Sequence, residues 1–307
     1  MVRCLGNLST LNKEGDYLMA DIRLLTAMIT PYDEQLEVNY VKAVEVAEML
    51  VAKGSEGIVV CGTTGEAPVL SAEEKIKLFS AVKQAVGNRV QVWAGTGSNY
   101  TKGALELSQK AEKIGVDGVM VVTPYYNKPS PDGLYQHFKT IAEGISIPVM
   151  LYNVPGRTSV NLTPDTVKRL SAIENIVALK EASGDMDQLS LLMNLVPDDF
   201  TIYSGDDSNT LPMMALGAAG VVSISSHLVG NQIKAMIEHF VNGEVEQARN
   251  IHAYLFPLFK GLFVTTNPVP LKEALNIKGM NVGGLRLPLT PVTPEQRSFI
   301  KELLENY

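Results

Sequence analysis

From residue 22 onward, short apolar runs alternate with longer stretches of helical periodicity. The runs cover 24–29, 57–61, 90–95, 118–122, 148–152, 176–180, 200–204 and 220–224. Bounded by turn residues, such runs read as strands buried on both faces. Between them, 38–53, 72–86, 102–114 and 131–145 carry helical patterns. Ser71 ahead of Ala72-Glu73-Glu74, and Thr163-Pro164-Asp165, read as helix starts, while Gly54, Gly87 and Gly115 read as stops. Alternating strand and helix implies parallel strands joined by crossover helices. About eight such units predict an α/β fold closed into a (β/α)8 TIM barrel. No GxGxxG follows the first strand, which argues against a dinucleotide-binding sheet. Past about residue 243 the alternation stops, and 245–260, 270–276 and 294–305 read as helices. The expected organisation is a poorly ordered arm over 1–18, a barrel over 19–243 and a C-terminal helical appendage over 244–307.

Composition narrows the class. Of 307 residues, 46% are hydrophobic and 19% charged, enough for a large core and against wholesale disorder. The net charge is −7 and no basic stripe is visible, so no nucleic-acid partner is expected. Cys4 lies in a polar leader and Cys61 in an apolar run, which argues against a disulfide framework and fits a reducing cytosol. No apolar stretch approaches the roughly 20 residues of a membrane helix, so no membrane partner is expected. The first 18 residues lack the apolar centre of a signal peptide. They read as an arm, or as an overlong start with Met19 the true initiator.

In an α/β barrel, chemistry gathers at the C-terminal ends of the strands. Lys180 ends the run Ile176-Val177-Ala178-Leu179. Desolvation there would favour a neutral, nucleophilic amine, as a Schiff-base enzyme needs. A lysine that reaches solvent or pairs with Glu181 is the plainer alternative. Gly62-Thr63-Thr64-Gly65-Glu66 follows the second strand and offers N–H groups and hydroxyls to a small carboxylate, or is only a tight turn. No GK[ST] follows it, so it is not a Walker phosphate loop. Tyr152 can shuttle protons beside Lys180 or simply cap the core. Arg157 can hold a carboxylate bidentately or form a surface ion pair. His137, His227, His239 and His252 show no metal-binding spacing, and no metal site is expected. Asp206-Asp207 reads as a helix N-terminus before it reads as a cation site.

Taken in order, four segments carry a resemblance: Gly62-Thr63-Thr64-Gly65-Glu66, Thr123-Pro124-Tyr125-Tyr126-Asn127, Tyr152-Asn153-Val154-Pro155-Gly156-Arg157-Thr158 and Ala178-Leu179-Lys180-Glu181. From about Ile22 to the C-terminus the chain resembles the N-acetylneuraminate lyase family of class I aldolase barrels, on its synthase branch. The resemblance implies that Lys180 forms an imine with pyruvate. Tyr152, Thr63 and Tyr126 would relay protons, with Tyr126 supplied by a neighbouring subunit. Thr64 would bind the pyruvate carboxylate and Arg157 that of L-aspartate-4-semialdehyde, while Gly205 and Val222 would line the pyruvate pocket. The product would be a hydroxy-tetrahydrodipicolinate, the first step of the diaminopimelate route to lysine. No metal or organic cofactor is implied, only the covalent imine on Lys180. A homodimer at least is implied, and a tetramer is usual in the family.

Arg157 and the intact Gly-Thr-Thr-Gly segment favour this branch over relatives that cleave sialic or keto-sugar acids. In lysine-inhibited members of the family a histidine and a glutamate stand where this chain has Lys75 and Gly103. Little inhibition by lysine is therefore expected. The alternatives are an aldolase acting on a sugar acid, a barrel that binds a small acid without turnover, and a pyridoxal-phosphate enzyme. Against the last, no Gly-rich phosphate loop follows the seventh or eighth run.

Overall fold

Residues 22–307 are described by a computed structural model; the arm expected over 1–18, with Cys4, and the alternative start at Met19 lie outside the described residues. Eight parallel strands close into a barrel in sequential order, β1 pairing with β2 and with β8. They are β1 (Leu24–Ala27), β2 (Gly57–Val60), β3 (Gln91–Gly95), β4 (Gly118–Val122), β5 (Val149–Asn153), β6 (Ile176–Glu181), β7 (Thr201–Ser204) and β8 (Gly220–Ser223). Nearly every strand residue is buried, because side chains fill the barrel inside while helices cover it outside. The approach between strands is close: a Cβ on Gly118 would stand 2.5 Å from the Trp93 ring.

The helices are α1 (Tyr40–Ala52), α2 (Ala72–Val86), α3 (Thr101–Ile114), α4 (Pro131–Glu143), α5 (Pro155–Thr158), α6 (Pro164–Leu170), α7 (Met186–Leu195), α8 (Thr210–Ala215), α9 (Ser226–Val241), α10 (Val245–Gly261), α11 (Val269–Ile277) and α12 (Pro294–Leu303). Ser71 and Glu74 form a reciprocal capping box that starts α2, and Thr163-Pro164 opens α6. Gly54, Gly87 and Gly115 all take positive φ where α1, α2 and α3 end. The expected runs overreach by one or two residues at 29, 61 and 224. At Cys61 the cause is visible: its φ of 57° turns the chain out of β2 and into the following loop.

One irregularity decides the upper rim. Val149 pairs with Ile176, yet Met150 pairs with Ala178, so β6 carries one extra residue against β5. Above that step Tyr152 faces Lys180 and Asn153 faces Glu181. Without it Tyr152 would stand beside Leu179.

The C-terminal helices do not stand apart from the barrel. The segment before α11 and α11 itself reach the turn after β2. Asn267 Nδ2 donates to Thr64 Oγ1 at 3.0 Å, and Lys272 Nζ donates to Glu66 Oε1 at 2.9 Å and to the Thr30 carbonyl at 3.0 Å. Further along, Arg286 forks onto Glu74 at the start of α2.

Candidate active site

Lys180 is the last residue but one of β6, with 4% of its surface exposed, and its Nζ lies 4.3 Å from the centre of the Tyr152 ring. The bulge between β5 and β6 makes these two residues lateral neighbours on one face. Glu181, the next residue, points the other way. Its carboxylate accepts from Asn153 Nδ2 at 3.0 Å, Gln188 Nε2 at 3.1 Å and the Ser183 amide at 2.6 Å. Pairing of Lys180 with Glu181 is therefore not what the structure holds; among the described residues no carboxylate forms an ion pair with the Lys180 amine. Asn153 also accepts from the Leu162 amide at 2.9 Å and reaches Asn161, so the residue after Tyr152 serves as a buttress.

A cavity of about 340 Å³ opens at this rim, with Thr63, Tyr152 and Arg157 in its wall. Cys61, Lys75 and Tyr125 line it as well. Burial pushes the Cys61 thiol up to about 12, so it stays protonated, and burial holds the Lys75 amine below the usual lysine value. Lys180, Thr64, Gly205 and Val222 are not walls of this cavity. Gly205 nonetheless sits hard against the lysine: a Cβ there would lie 3.2 Å from Lys180 Cε and 2.6 Å from the Ala182 Cβ. Val222 is buried in β8, paired with Leu25.

The turn that carries Thr63 and Thr64 is held by its own backbone. The Gly65 and Ala67 amides both donate to the Gly62 carbonyl, and the Glu66 amide donates to that of Thr63. Glu66 adopts a left-handed φ of 55°, a conformation costly for a residue with a side chain. The Lys272 and Arg286 contacts to its carboxylate hold it there. Arg157 lies in α5, the single turn after β5. Its guanidinium donates to the Asn267 carbonyl at 3.2 Å and to Thr266 Oγ1 at 3.5 Å, and among the described residues it has no carboxylate partner. The surface ion pair considered for it is absent there.

Tyr126 is 89% exposed and has φ of 73°. It is not among the residues that wall its own barrel's cavity. Asn99 Nδ2 donates to the Tyr125 carbonyl at 3.2 Å, and Asn127 Nδ2 donates to the Asn99 carbonyl at 2.8 Å. This two-way clamp between the loops after β3 and β4 fixes the tyrosine's backbone in its strained state.

Asp206 caps a short 3-10 turn, Asp207–Asn209, and Asp207 accepts from the Ile224 and Ser225 amides. Asp206 thus takes the helix-start role expected of the pair, while the Asp207 side chain ties the turn to the residues after β8. Among the described residues no group of three or more His, Cys, Asp or Glu is placed to hold a metal ion, and no helix is long and apolar enough to cross a membrane. Sequence reasoning passed over Asn267 and Lys272. Asn267-Pro268 reads only as a turn, but a lysine inside the apolar pattern Val269-Pro270-Leu271-Lys272 was a usable signal for a buried partner.

Three comparisons bear on this site. Residues 21–307 match the family model described as the dihydrodipicolinate synthetase family. The chain is 57% identical over 282 residues to the 4-hydroxy-tetrahydrodipicolinate synthase of Desulforudis audaxviator, covering 92% of this chain and 96% of that one. Its identity to the enzyme of the same name from Desulforamulus reducens is 54% over 285 residues, covering 92% and 96%. Among solved structures, a dihydrodipicolinate synthase from Bacillus anthracis superposes with a TM-score of 0.91 at 47% identity, covering 93% of this chain and 98% of that one. One from Cyanidioschyzon merolae, solved with lysine bound, gives 0.92 at 44% identity, covering 94% and 98%.

Proposed function

The chain belongs to the dihydrodipicolinate synthetase family, and from that premise we propose that it condenses pyruvate with L-aspartate-4-semialdehyde through an imine on Lys180. The activity is that of a 4-hydroxy-tetrahydrodipicolinate synthase, a lyase running an aldol-type condensation that serves lysine biosynthesis through diaminopimelate. The observation that carries the assignment of Lys180 is its place: a buried amine over the Tyr152 ring, without a carboxylate partner among the described residues, beside a cavity walled by Thr63 and Arg157.

In this reading the Lys180 amine attacks the pyruvate carbonyl and water leaves. The imine is an electron sink, so the methyl group gives up a proton and an enamine forms. The enamine carbon attacks the aldehyde. The acceptor's amine then attacks the imine carbon, closing the ring and displacing Lys180. Tyr152 and Thr63 move the protons from within the subunit. Thr64 holds the pyruvate carboxylate, Arg157 holds that of the aldehyde, and Gly205 and Val222 bound the pyruvate end. The scheme uses no metal or organic cofactor.

Tyr126 completes the relay from a second copy. A tyrosine held outward in a strained backbone suits a group made to enter a neighbour, so the active form is a homodimer or a tetramer built from dimers. A cytoplasmic location goes with this reading.

Borohydride reduction in the presence of pyruvate, followed by peptide mass mapping, tests the assignment. A carboxyethyl adduct on Lys180 is expected, and Lys180→Ala should lose the adduct together with at least about a thousandfold of kcat. An adduct elsewhere, or activity that survives in Lys180→Ala, would remove the imine scheme.

A further inference from the structure

Asn267 touches both groups assigned to substrate carboxylates. It is 5% exposed and lies between α10 and α11. Its side-chain amide donates to Thr64 Oγ1 at 3.0 Å, and its main-chain carbonyl accepts from Arg157 at 3.2 Å. A threonine hydroxyl has one proton and two lone pairs. Here an N–H occupies one lone pair, and among the described residues no protein acceptor takes the proton. With the amide in this orientation the hydroxyl is set as a donor, while Asn267 Oδ1 is buried with no partner.

The backbone around the asparagine is itself held on both sides. The Val269 amide donates to the Thr266 carbonyl and the Lys272 amide to that of Pro268, which fixes the loop onto α11. The Lys272 side chain then ties α11 to Glu66, two residues beyond Thr64. Asn267 and Thr64 are therefore joined by a closed circuit of contacts, not by a lone hydrogen bond.

We propose that Asn267 is a positioning residue that keeps the Thr64 hydroxyl turned as a donor toward the pyruvate carboxylate, while its carbonyl separately aims Arg157 at the carboxylate of the second substrate. The proposal rests on the roles given to Thr64 and Arg157 above. The division of labour within one residue is what makes it testable. Changing the side chain removes the Thr64 contact and leaves the carbonyl on Arg157. The reverse orientation of the amide would draw the Thr64 proton onto Oδ1 and abolish the donor; Asn267→Asp imposes that arrangement and adds a negative charge beside a carboxylate site.

The experiment titrates pyruvate in borohydride trapping of Lys180 and measures steady-state constants for both substrates. The variants are Asn267→Ala, Asn267→Asp, Thr64→Val and Thr64→Val with Asn267→Ala. In Asn267→Ala the half-saturating pyruvate should rise about tenfold, the worth of one hydrogen bond to a charged group. The KM for aspartate semialdehyde should stay within about twofold, and kcat within about threefold, since uniform binding alone is lost. Asn267→Asp should exceed Asn267→Ala. In the Thr64→Val background, Asn267→Ala should add less than about a further twofold, because the two act through one hydroxyl.

Unchanged half-saturation in Asn267→Ala overturns the proposal, as does an equal rise for both substrates, which marks general loosening of the loop. Full additivity with Thr64→Val also overturns it. Absence of any Lys180 adduct in the unaltered protein would instead overturn the imine assignment, and this proposal with it.

Discussion

Lys180 and Glu181 are neighbours in one strand, yet the pleat sends them to opposite surroundings. The glutamate goes to a lattice of amides, and the lysine to an aromatic face and the cavity rim. The lysine was legible in the sequence because a cation closing an apolar run is conspicuous. Asn267 was not, since its meaning comes from an approach across 203 positions of chain. Lys75 belongs to the same scale. It stands in the cavity wall as a half-buried cation, and Gly103 offers no carboxylate. At the positions where the resemblance puts a lysine site, an incoming lysine would meet like charge and lack a partner. Activity measured against rising lysine should show half-inhibition only above the millimolar range; inhibition at sub-millimolar lysine would contradict this account.

At the level of elements, the link between α11 and the turn after β2 rests on an ion pair that is almost wholly buried: 2% and 0% of the Lys272 and Glu66 side chains are exposed. The ammonium also lies 4.1 Å from the centre of the Tyr32 ring. Removing one partner strands a charge in the interior, so Lys272→Met should cost about 3–5 kcal/mol in a urea unfolding series. Adding Glu66→Gln should restore a substantial part, and a double variant no better than the single would show that the pair is not the source. The eight strands and the main helices were legible from periodicity, since continuous apolar runs and capping residues report on local burial and local turns. The extra residue in β6 was not. It is a statement about how β6 counts against β5, and neither strand's own pattern contains it. The short helices α5 and α8 escaped for a related reason: four and six residues are too few to display a helical period.

Over the whole molecule, acid should be the weak side. His227 donates from Nδ1 to the Ile224 carbonyl and accepts at Nε2 from the Ile29 amide, so its neutral form is built into the fold. Burial lowers both His227 and His137 to about 4, against an ordinary value of 6.5. The unfolded chain therefore binds the extra protons first. The stabilisation is fully present above about pH 6.5 and is lost as pH falls through about 4, at about 3 kcal/mol for each histidine. Asp207, whose carboxyl is raised by burial, acts in the opposite sense at the acid end. Melting temperatures should be level from pH 8 to 7 and fall between 6.5 and 4, and His137→Asn should flatten part of that fall. A profile equally flat without the substitution would contradict the assignment.

The tie between Thr64, Glu66 and the last helices also has a meaning in time. A ribosome delivers all eight strands before it delivers Asn267, Lys272 or Arg286. Through that interval a nascent chain lacks the contacts from Asn267, Lys272 and Arg286 to the turn after β2 and to α2, so the orientation proposed for Thr64 arises only after the last strand of the barrel.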